Sequence, residues 1–360
     1  MASVPWTRGR SALIRGVIGV AALALVISLL LRILGYGVGP ALAALWAGSL
    51  GSSYALTSGT LVRATPLILT GLSVALAFRA GVFNIGSEGQ LLVGAAAATS
   101  IALLPGISGS RVALLLALAG GFVAGGLWAG VAAVLRTRFR VLEVLSTILL
   151  NFVALYLVSY LVRGPLQEPL HIYPQSSSLA AAARLPRLAP SSRLHAGFVF
   201  ALLAAAATWW LLRSTAAGFR IRAVGANPDA ARVAGQIDVD RATTQAFLIS
   251  GALAGLAGAI EVTGVTYALY ENISPGYGYT GIAVALLARL DPLAVIASGL
   301  LFGALEAGAA AMQRDAGVPS VTVSVVEALI ILGTLIIWPT TVDQSRVAGP
   351  AADTDAVEQA

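Results

Sequence analysis

The chain has 360 residues, of which 58% are hydrophobic and 11% charged, with a mean hydropathy of +0.88; a soluble domain has about a quarter of its residues charged, so the class is a polytopic membrane protein. The formal charge of +6 is carried by 22 basic residues that are all Arg, and the absence of Lys excludes Schiff-base or lysine-nucleophile chemistry. With no Cys there is no disulfide or thiolate metal site, and two His, His171 and His195, make a poor zinc site, so no cofactor and no metal are expected.

Arg spread over helix-connecting loops orients a protein in a bilayer, whereas a nucleic-acid binder gathers its charge on one face, so no nucleic acid is implied. Residues 1–15 carry Arg8, Arg10 and Arg15 ahead of an apolar run from Gly16 to Leu31. No A-x-A cleavage site follows, which predicts a retained signal-anchor helix with a cytoplasmic N-terminus. Residues 41–60 are apolar but dense in Ser, Gly and Thr, and are expected to form an external interfacial helix anchored by Trp46. Residues 62–80 return inward with a 15-residue apolar core between Arg63 and Arg79, short enough that the helix stands upright or its ends snorkel. Then comes VFNIGSEGQ, 82–90. The apolar run beyond it, 91–104, has only 14 residues before Pro105, so the polar stretch must reach some depth for the helix to cross.

Residues 112–135 form a clean span containing Gly121-x-x-x-Gly125 and Gly126-x-x-x-Gly130, spacing that lets another backbone approach closely; Arg136, Arg138 and Arg140 follow as an inside loop. Residues 141–162 span outward with Glu143, Ser146, Thr147 and Asn151 along one stripe, which should face protein or a water-filled path. A proline-rich loop over 163–195 lands outside, and 196–212 come back in to Trp209 and Trp210 at the inner interface. Residues 213–241 are a charged island with five Arg and Asp229, Asp238 and Asp240, which cannot sit in lipid. Its Asn227-Pro228-Asp229 predicts a short helix over 228–235 at the cytoplasmic face, since Asn can cap and Pro presets the first helical φ. On local physics alone an ordinary basic loop obeying the positive-inside rule is an equal reading. Residues 243–268 go out through Gly251, Ala254, Gly255 and Gly258, a small-residue face. Residues 277–290 are too short to cross, and after a break at Asp291-Pro292 the run resumes over 293–312; these are expected to be a pair of discontinuous elements, the second capped by Asp291. Residues 320–338 close the bundle. The fold expected is an all-α polytopic membrane bundle of about ten membrane segments including short broken helices, with both termini cytoplasmic, a membrane domain over 16–340 and a disordered tail over 341–360.

Such a bundle suits a channel, a carrier or an enzyme alike, so function has to come from sites. There is no G-x-x-x-x-G-K-[ST] loop, so the chain does not bind and hydrolyse ATP by that route, and H-E-x-x-H and G-x-S-x-G are also missing. The strongest intramembrane signal is the polar stretch with Asn84, Ser87, Glu88 and Gln90, whose amides and carboxylate can meet the hydroxyls of a sugar or ribose. The plainer reading is that Asn84 caps the new helix and Glu88 supports its first turn. Glu306, mid-helix, either lines the path or answers an Arg such as Arg289, and the pairing is preferred; Glu261, Glu271 and Glu327 are expected to face solvent near the outer ends.

ATPLILTGLSVALAFRAGVFNIGSEGQLLVGA (64–95), EVLSTILLNFVALYLVSYLVRGPL (143–166), RAVGANPDAARVAG (222–235) and GYGYTGIAVALLARLDPLAVIASGLLFGAL (276–305) together resemble the permease subunits of ABC importers in the simple-sugar and nucleoside class. The longer N-terminal portion and the FNIG-x-EGQ form look most like nucleoside permeases working beside a basic-membrane-protein type lipoprotein. The resemblance implies that Arg222, Gly225, Ala226, Asn227, Pro228, Asp229, Ala230, Ala231 and Gly235 belong to a coupling segment that docks on a cytoplasmic ATPase. It implies a second permease subunit, the same or a paralogous chain, two ATP-binding subunits and an extracytoplasmic substrate-binding lipoprotein. Asn84, Ser87, Glu88, Gln90, Asn151 and Glu306 are then expected along the substrate pathway, for a nucleoside or alternatively a monosaccharide such as ribose. An ion-coupled secondary transporter, in which Glu88 and Glu306 titrate, is the competing class. LARLDP departs from relatives that have other polar residues before the Pro, which leaves any role for Arg289 and Asp291 open.

Overall fold

The computed structural model describes residues 24–319 apart from 236, with scattered positions at 21 and 22 and between 321 and 333. Among these residues the chain is helical with no β-strand, only three isolated bridges in and beside the 163–195 loop. Helices α1 (Ala24–Ile33) and α2 (Val38–Ser49) lead to a π-helical turn, Ala55–Thr60, that runs straight into α3 (Leu61–Arg79). Helices α4 (Ser87–Ala102), α5 (Arg111–Phe139), α6 (Glu143–Arg163) and α7 (Gly197–Ser214) follow. Two short helices, α8 (Ala216–Ala226) and α9 (Pro228–Gly235), precede α10 (Val239–Glu261), α11 (Tyr277–Leu287) and α12 (Pro292–Asp315).

Six described helices are long and apolar enough to cross a membrane: Ala55–Arg79, α5, α6, α7, Val239–Thr266 and α12. Three expectations change here. The inward span does not begin at 62: the π-helical turn extends it back to Ala55, giving 25 residues, and no thin-membrane or snorkelling argument is needed. Helix α12, 24 residues long, is long and apolar enough to span by itself, so only α11 of the expected broken pair is short. Helix α2 ends at Ser49, so residues 41–60 are two elements and not one interfacial helix, although Trp46 is exposed. The closing span over 320–338, the N-terminal residues 1–15 and the tail over 341–360 lie wholly or mostly outside the described residues.

Helices α3 and α10 form the centre. Helix α3 is buried continuously from Ala64 to Ala77, as expected of a helix apolar on every face, and α10 packs against α5, α4 and α3. The small residues decide how close these backbones come. A Cβ on Gly94 or Gly125 would run into the Gly255 backbone, and one on Gly121 would stand 2.6 Å from Ala259 Cβ and 3.0 Å from Gly94 O. The Gly spacing visible in α5 therefore has a partner, the Gly251–Gly258 face of α10, with α4 closing a three-helix contact. Helices α5, α6 and α7 keep an outward apolar face, with Leu115, Leu127, Leu145, Tyr156 and Leu203 exposed, which is how a helix facing lipid reads.

Candidate functional site

The chain leaves α3 through Gly81, whose φ of +73° is open to glycine at no steric cost, and re-enters α4 at Ser87. In this break Asn84 folds back on itself: its Oδ1 accepts from Gly86 N at 2.9 Å and from Gln90 Nε2 at 3.0 Å. Its Nδ2 in turn donates to Gln90 Oε1 at 3.1 Å and to Ser250 Oγ on α10 at 2.9 Å. Ser73 of α3 lies 3.0 Å from both Ser87 and Ser250. Asn151 of α6 joins from the other side, its Oδ1 accepting from Gly89 N at 2.8 Å while Nδ2 donates to Ile85 O and to Tyr279 Oη. Glu88 reaches a third element, accepting from Gly278 N at 2.7 Å and bonding the Ser274 hydroxyl. Its carboxylate thereby occupies the N-terminal turn of α11, where negative charge is favoured.

The structure thus brings five of the six sequence-predicted pathway residues together. Asn84, Ser87, Glu88, Gln90 and Asn151 are all buried, with Tyr279, half-exposed, at the margin. Asn84 does not cap α4 in the expected way, since Gly86 holds the cap position and the α4 end carries no side-chain cap; Asn84 makes an Asx-type turn onto Gly86 N instead. Glu88 does not serve its own first turn but that of α11. The sequence reading missed Ser73, Ser250 and Ser274, because a serine in an apolar helix usually bonds its own i−4 carbonyl and announces nothing.

Glu306 stands apart. Arg289, the expected partner, occupies the turn before α12, about 20 Å away along the helix at 1.5 Å per residue, too far for a direct ion pair. Glu306 instead lies within electrostatic reach of Tyr277, which also faces Glu261, Arg63 and Tyr270. Glu261 is not solvent-facing as expected: it is 4% exposed, with Arg63 and Arg193 within electrostatic reach. Glu271 is held in a bidentate pair by Arg163, at 2.6 and 3.0 Å, and by Ser159 at 2.6 Å, contacts that bring its pKa down to about 2. The side chain of Glu327 lies outside the described residues.

The proline-rich loop packs over the same end of α10. Ser176 N donates to Leu269 O, Leu179 N to Tyr267 O and Leu185 N to Thr263 O, each at 2.8–2.9 Å, and the Arg184 guanidinium sits 4.4 Å above the Tyr267 ring. His195 closes this layer. It is 1% exposed, its Nδ1 accepts from Gly197 N, and its Nε2 has no partner among the described residues; burial first and Arg193 second push its pKa down to about 4.

At the opposite end lies the charged island. Asn227 Oδ1 accepts from Asp229 N and Ala230 N at 3.0 Å each, and α9 starts at Pro228 and ends at Gly235 as the sequence predicts. Among the described α9 side chains only Ala231 is buried, in a small cluster with Val224, Ile237 and Ala242, while Val233 is 81% exposed. Arg222, Ala226, Asn227, Pro228, Asp229 and Ala230 are exposed too. Gly225 serves packing: a Cβ there would collide with Arg79 O at the end of α3, so α8 is seated on the central helix. Above this contact Arg79 Nε donates to Leu290 O and its Nη2 to Arg289 O, holding a turn in which both residues have positive φ, 52° and 58°. Asp291 caps α12 as predicted, accepting from Leu293 N and Ala294 N.

Among the described residues no three His, Asp or Glu side chains come together as a metal site. The geometry offers hydrogen-bonding amides and hydroxyls inside a helix bundle, and a well-capped, outward-facing short helix at one end.

The chain is 41% identical to the guanosine ABC transporter permease protein NupP of Bacillus subtilis over 310 residues, which is 85% of this chain and 88% of that protein. It is 42% identical to the glucose ABC transporter permease protein TsgB13 of Haloferax volcanii, over 79% of this chain and 77% of the relative. Identity to the nucleoside ABC transporter permease protein NupB of Lactococcus lactis is 33%, over 80% of each. No solved structure matches significantly. The family model for the permease component of the branched-chain amino acid transport system matches residues 56–337, and with its apolar spans and polar helix break the chain belongs to that family of multi-pass membrane permeases.

Proposed function

We propose that this chain is the membrane-spanning subunit of an ATP-driven importer that takes up nucleosides, with about ten membrane segments when the short apolar helices are included and with both termini cytoplasmic. It works beside two ATP-binding subunits, a second permease subunit and an extracytoplasmic binding lipoprotein. The observation that carries the reading is α9: a capped helix, anchored by one buried residue and otherwise exposed, seated through α8 on the end of the central helix α3. Nucleotide binding in a partner that grips α9 favours one orientation of α8 over another, and that preference reaches α3 and the break after it. Glu306, Asn151 and the residues of the break line the path. In the present conformation Asn84, Ser87, Glu88, Gln90 and Asn151 bond each other or neighbouring backbone, so passage of cargo exchanges those bonds for bonds to its hydroxyls.

The relatives named for guanosine and nucleosides favour a nucleoside cargo, and the one named for glucose favours a monosaccharide as the second reading. Cells lacking the gene are expected to lose uptake of labelled guanosine and to regain it with the gene, and excess glucose or ribose should not suppress the restored uptake. Suppression by either sugar moves the assignment to monosaccharides, and uptake that survives ATP depletion but stops when the proton gradient is collapsed moves it to a secondary carrier.

A further inference from the structure

A cavity of about 110 Å³ opens where the ends of α3 and α7, helix α8 and the start of α12 converge, lined by Arg79, Trp209, Arg213, Arg222, Asp291 and Pro292. Three arginines face one carboxylate. That carboxylate is already committed, since Asp291 accepts two backbone N–H groups at the α12 N-terminus, and among the described residues none of Arg79, Arg213 and Arg222 forms an ion pair. Arg79 is held in place by the carbonyls of Arg289 and Leu290, and Arg213 leans toward the Trp209 ring, 5.4 Å from its centroid. Among the described residues the guanidinium groups therefore converge on a pocket whose three positive charges exceed the single negative charge of Asp291.

We propose that this pocket binds the phosphate of an anionic phospholipid in the leaflet on the α9 side of the bundle. Arginine forks suit phosphate oxygens bidentately, and basic pockets between membrane helices on the cytoplasmic side take acidic lipid headgroups. The site lies at the ends of two membrane helices beside Trp209 and Trp210, where aromatic rings mark the headgroup level. It lies off α9; of the expected coupling segment only Arg222, at its start on α8, lines the pocket. From Trp210, beside the pocket, an exposed apolar strip runs up one face of α7 through Leu203 to Val199, about 17 Å along the helix, and is free to carry acyl chains. A lipid seated there touches α3, α7, α8 and α12 at once, and so bridges the central helix and the segment that leads to α9. The placement of this leaflet on the cytoplasmic side rests on the importer reading above.

The test is lipid retention, which is read independently of transport. The assembled complex is purified, equilibrated with vesicles of phosphatidylglycerol or of phosphatidylcholine, and its bound lipid is counted by native mass spectrometry. Phosphatidylglycerol is expected to be retained over phosphatidylcholine. Each arginine near an anionic headgroup is worth about fivefold, so R213Q/R222Q should lower retention by about 25-fold, and R213K, which keeps the charge, by less than R213Q. Equal retention of the two lipids, or unchanged retention in R213Q/R222Q with the complex intact, overturns the proposal. So does displacement of the lipid by millimolar inorganic phosphate, which makes the pocket a site for the free anion. Binding to the isolated chain that vanishes when the ATP-binding subunits are added also overturns it, by assigning the arginines to an acidic surface of the partner. Equal retention of the two lipids by the wild-type complex, with uptake of guanosine intact, sinks the lipid site and leaves the importer assignment standing.

Discussion

Asn84 has four hydrogen bonds inside the bundle, two through Oδ1 and two through Nδ2, and its replacement separates packing from transport. Asn84→Ala strands the Gln90 amide and Gly86 N–H, and an unsatisfied buried group costs about 1–3 kcal/mol; the thermal midpoint of the purified protein should fall accordingly. Tyr279→Phe removes one hydroxyl at the half-exposed margin and should leave the midpoint nearly unchanged while lowering uptake. Unchanged uptake in that variant would remove the Tyr279 hydroxyl from the path. His195 makes the bundle acid-sensitive with a defined sign. Its folded pKa of about 4 lies below the ordinary 6.5, so between those values the unfolded chain binds more protons and stability falls as pH drops. The effect is absent above about pH 6.5 and complete near pH 4, amounting to as much as ~3 kcal/mol for a shift of this size. Thermal midpoints of wild type and His195→Gln measured across that range should diverge, with the variant flatter; parallel curves would exclude His195 as the cause.

At the scale of elements, close approach and strain are the two quantities that substitutions can read. Gly255 stands where α4, α5 and α10 meet, and Gly255→Val places branched carbons against the Gly121 and Gly125 backbones. Overpacking costs about 1–3 kcal/mol in adaptable cores and more where backbone is the obstacle, so loss of folded, detergent-stable protein is expected. The α11–α12 turn behaves oppositely. Arg289 is exposed with a φ of 52°, a conformation costing about 1–2 kcal/mol for a residue with a Cβ, and Arg79 bonds only its carbonyl. Arg289→Gly should therefore be neutral or stabilising by up to about 1 kcal/mol once the glycine's added chain entropy is counted, a result checked by the same midpoint and contradicted by a marked loss. Helix α9 offers a cleaner probe of coupling than Gly225, whose replacement would disturb the contact with α3. Val233→Asp, at a site 81% exposed, should leave stability intact yet weaken co-purification of the ATP-binding subunits roughly tenfold; undiminished co-purification would mean that docking lies elsewhere.

For the whole molecule, a carrier of this construction works only if its two ends are linked through the centre, and the described helices supply such a chain of contacts. Helix α9 packs on α8, α8 on the end of α3, and α3 through Ser73 and Thr70 on the α4 break and on Tyr277 of α11. Beyond Tyr277 lie Glu261, Glu306 and the layer of the proline-rich loop. A cysteine placed at position 233 should be labelled by an impermeant reagent only in opened cells, and labelling in intact cells would invert the proposed topology.

Composition alone was enough to place the chain in a membrane, because a chain with 11% charged residues cannot cover a water-exposed surface. Local chemistry likewise determined the α9 and α12 starts, since an Asn or Asp ahead of Pro satisfies helix N–H groups without help from elsewhere, and the Gly spacing of α5 and α10 marked both as close-packing faces. Partners across long separations were decided only in three dimensions. Glu88 could have supported its own turn, Glu261 could have faced water, and Glu306 could have answered Arg289; each choice depends on which helices lie side by side. A buried polar group takes whatever partner the packing of apolar surfaces brings within reach, and no local pattern encodes that distance.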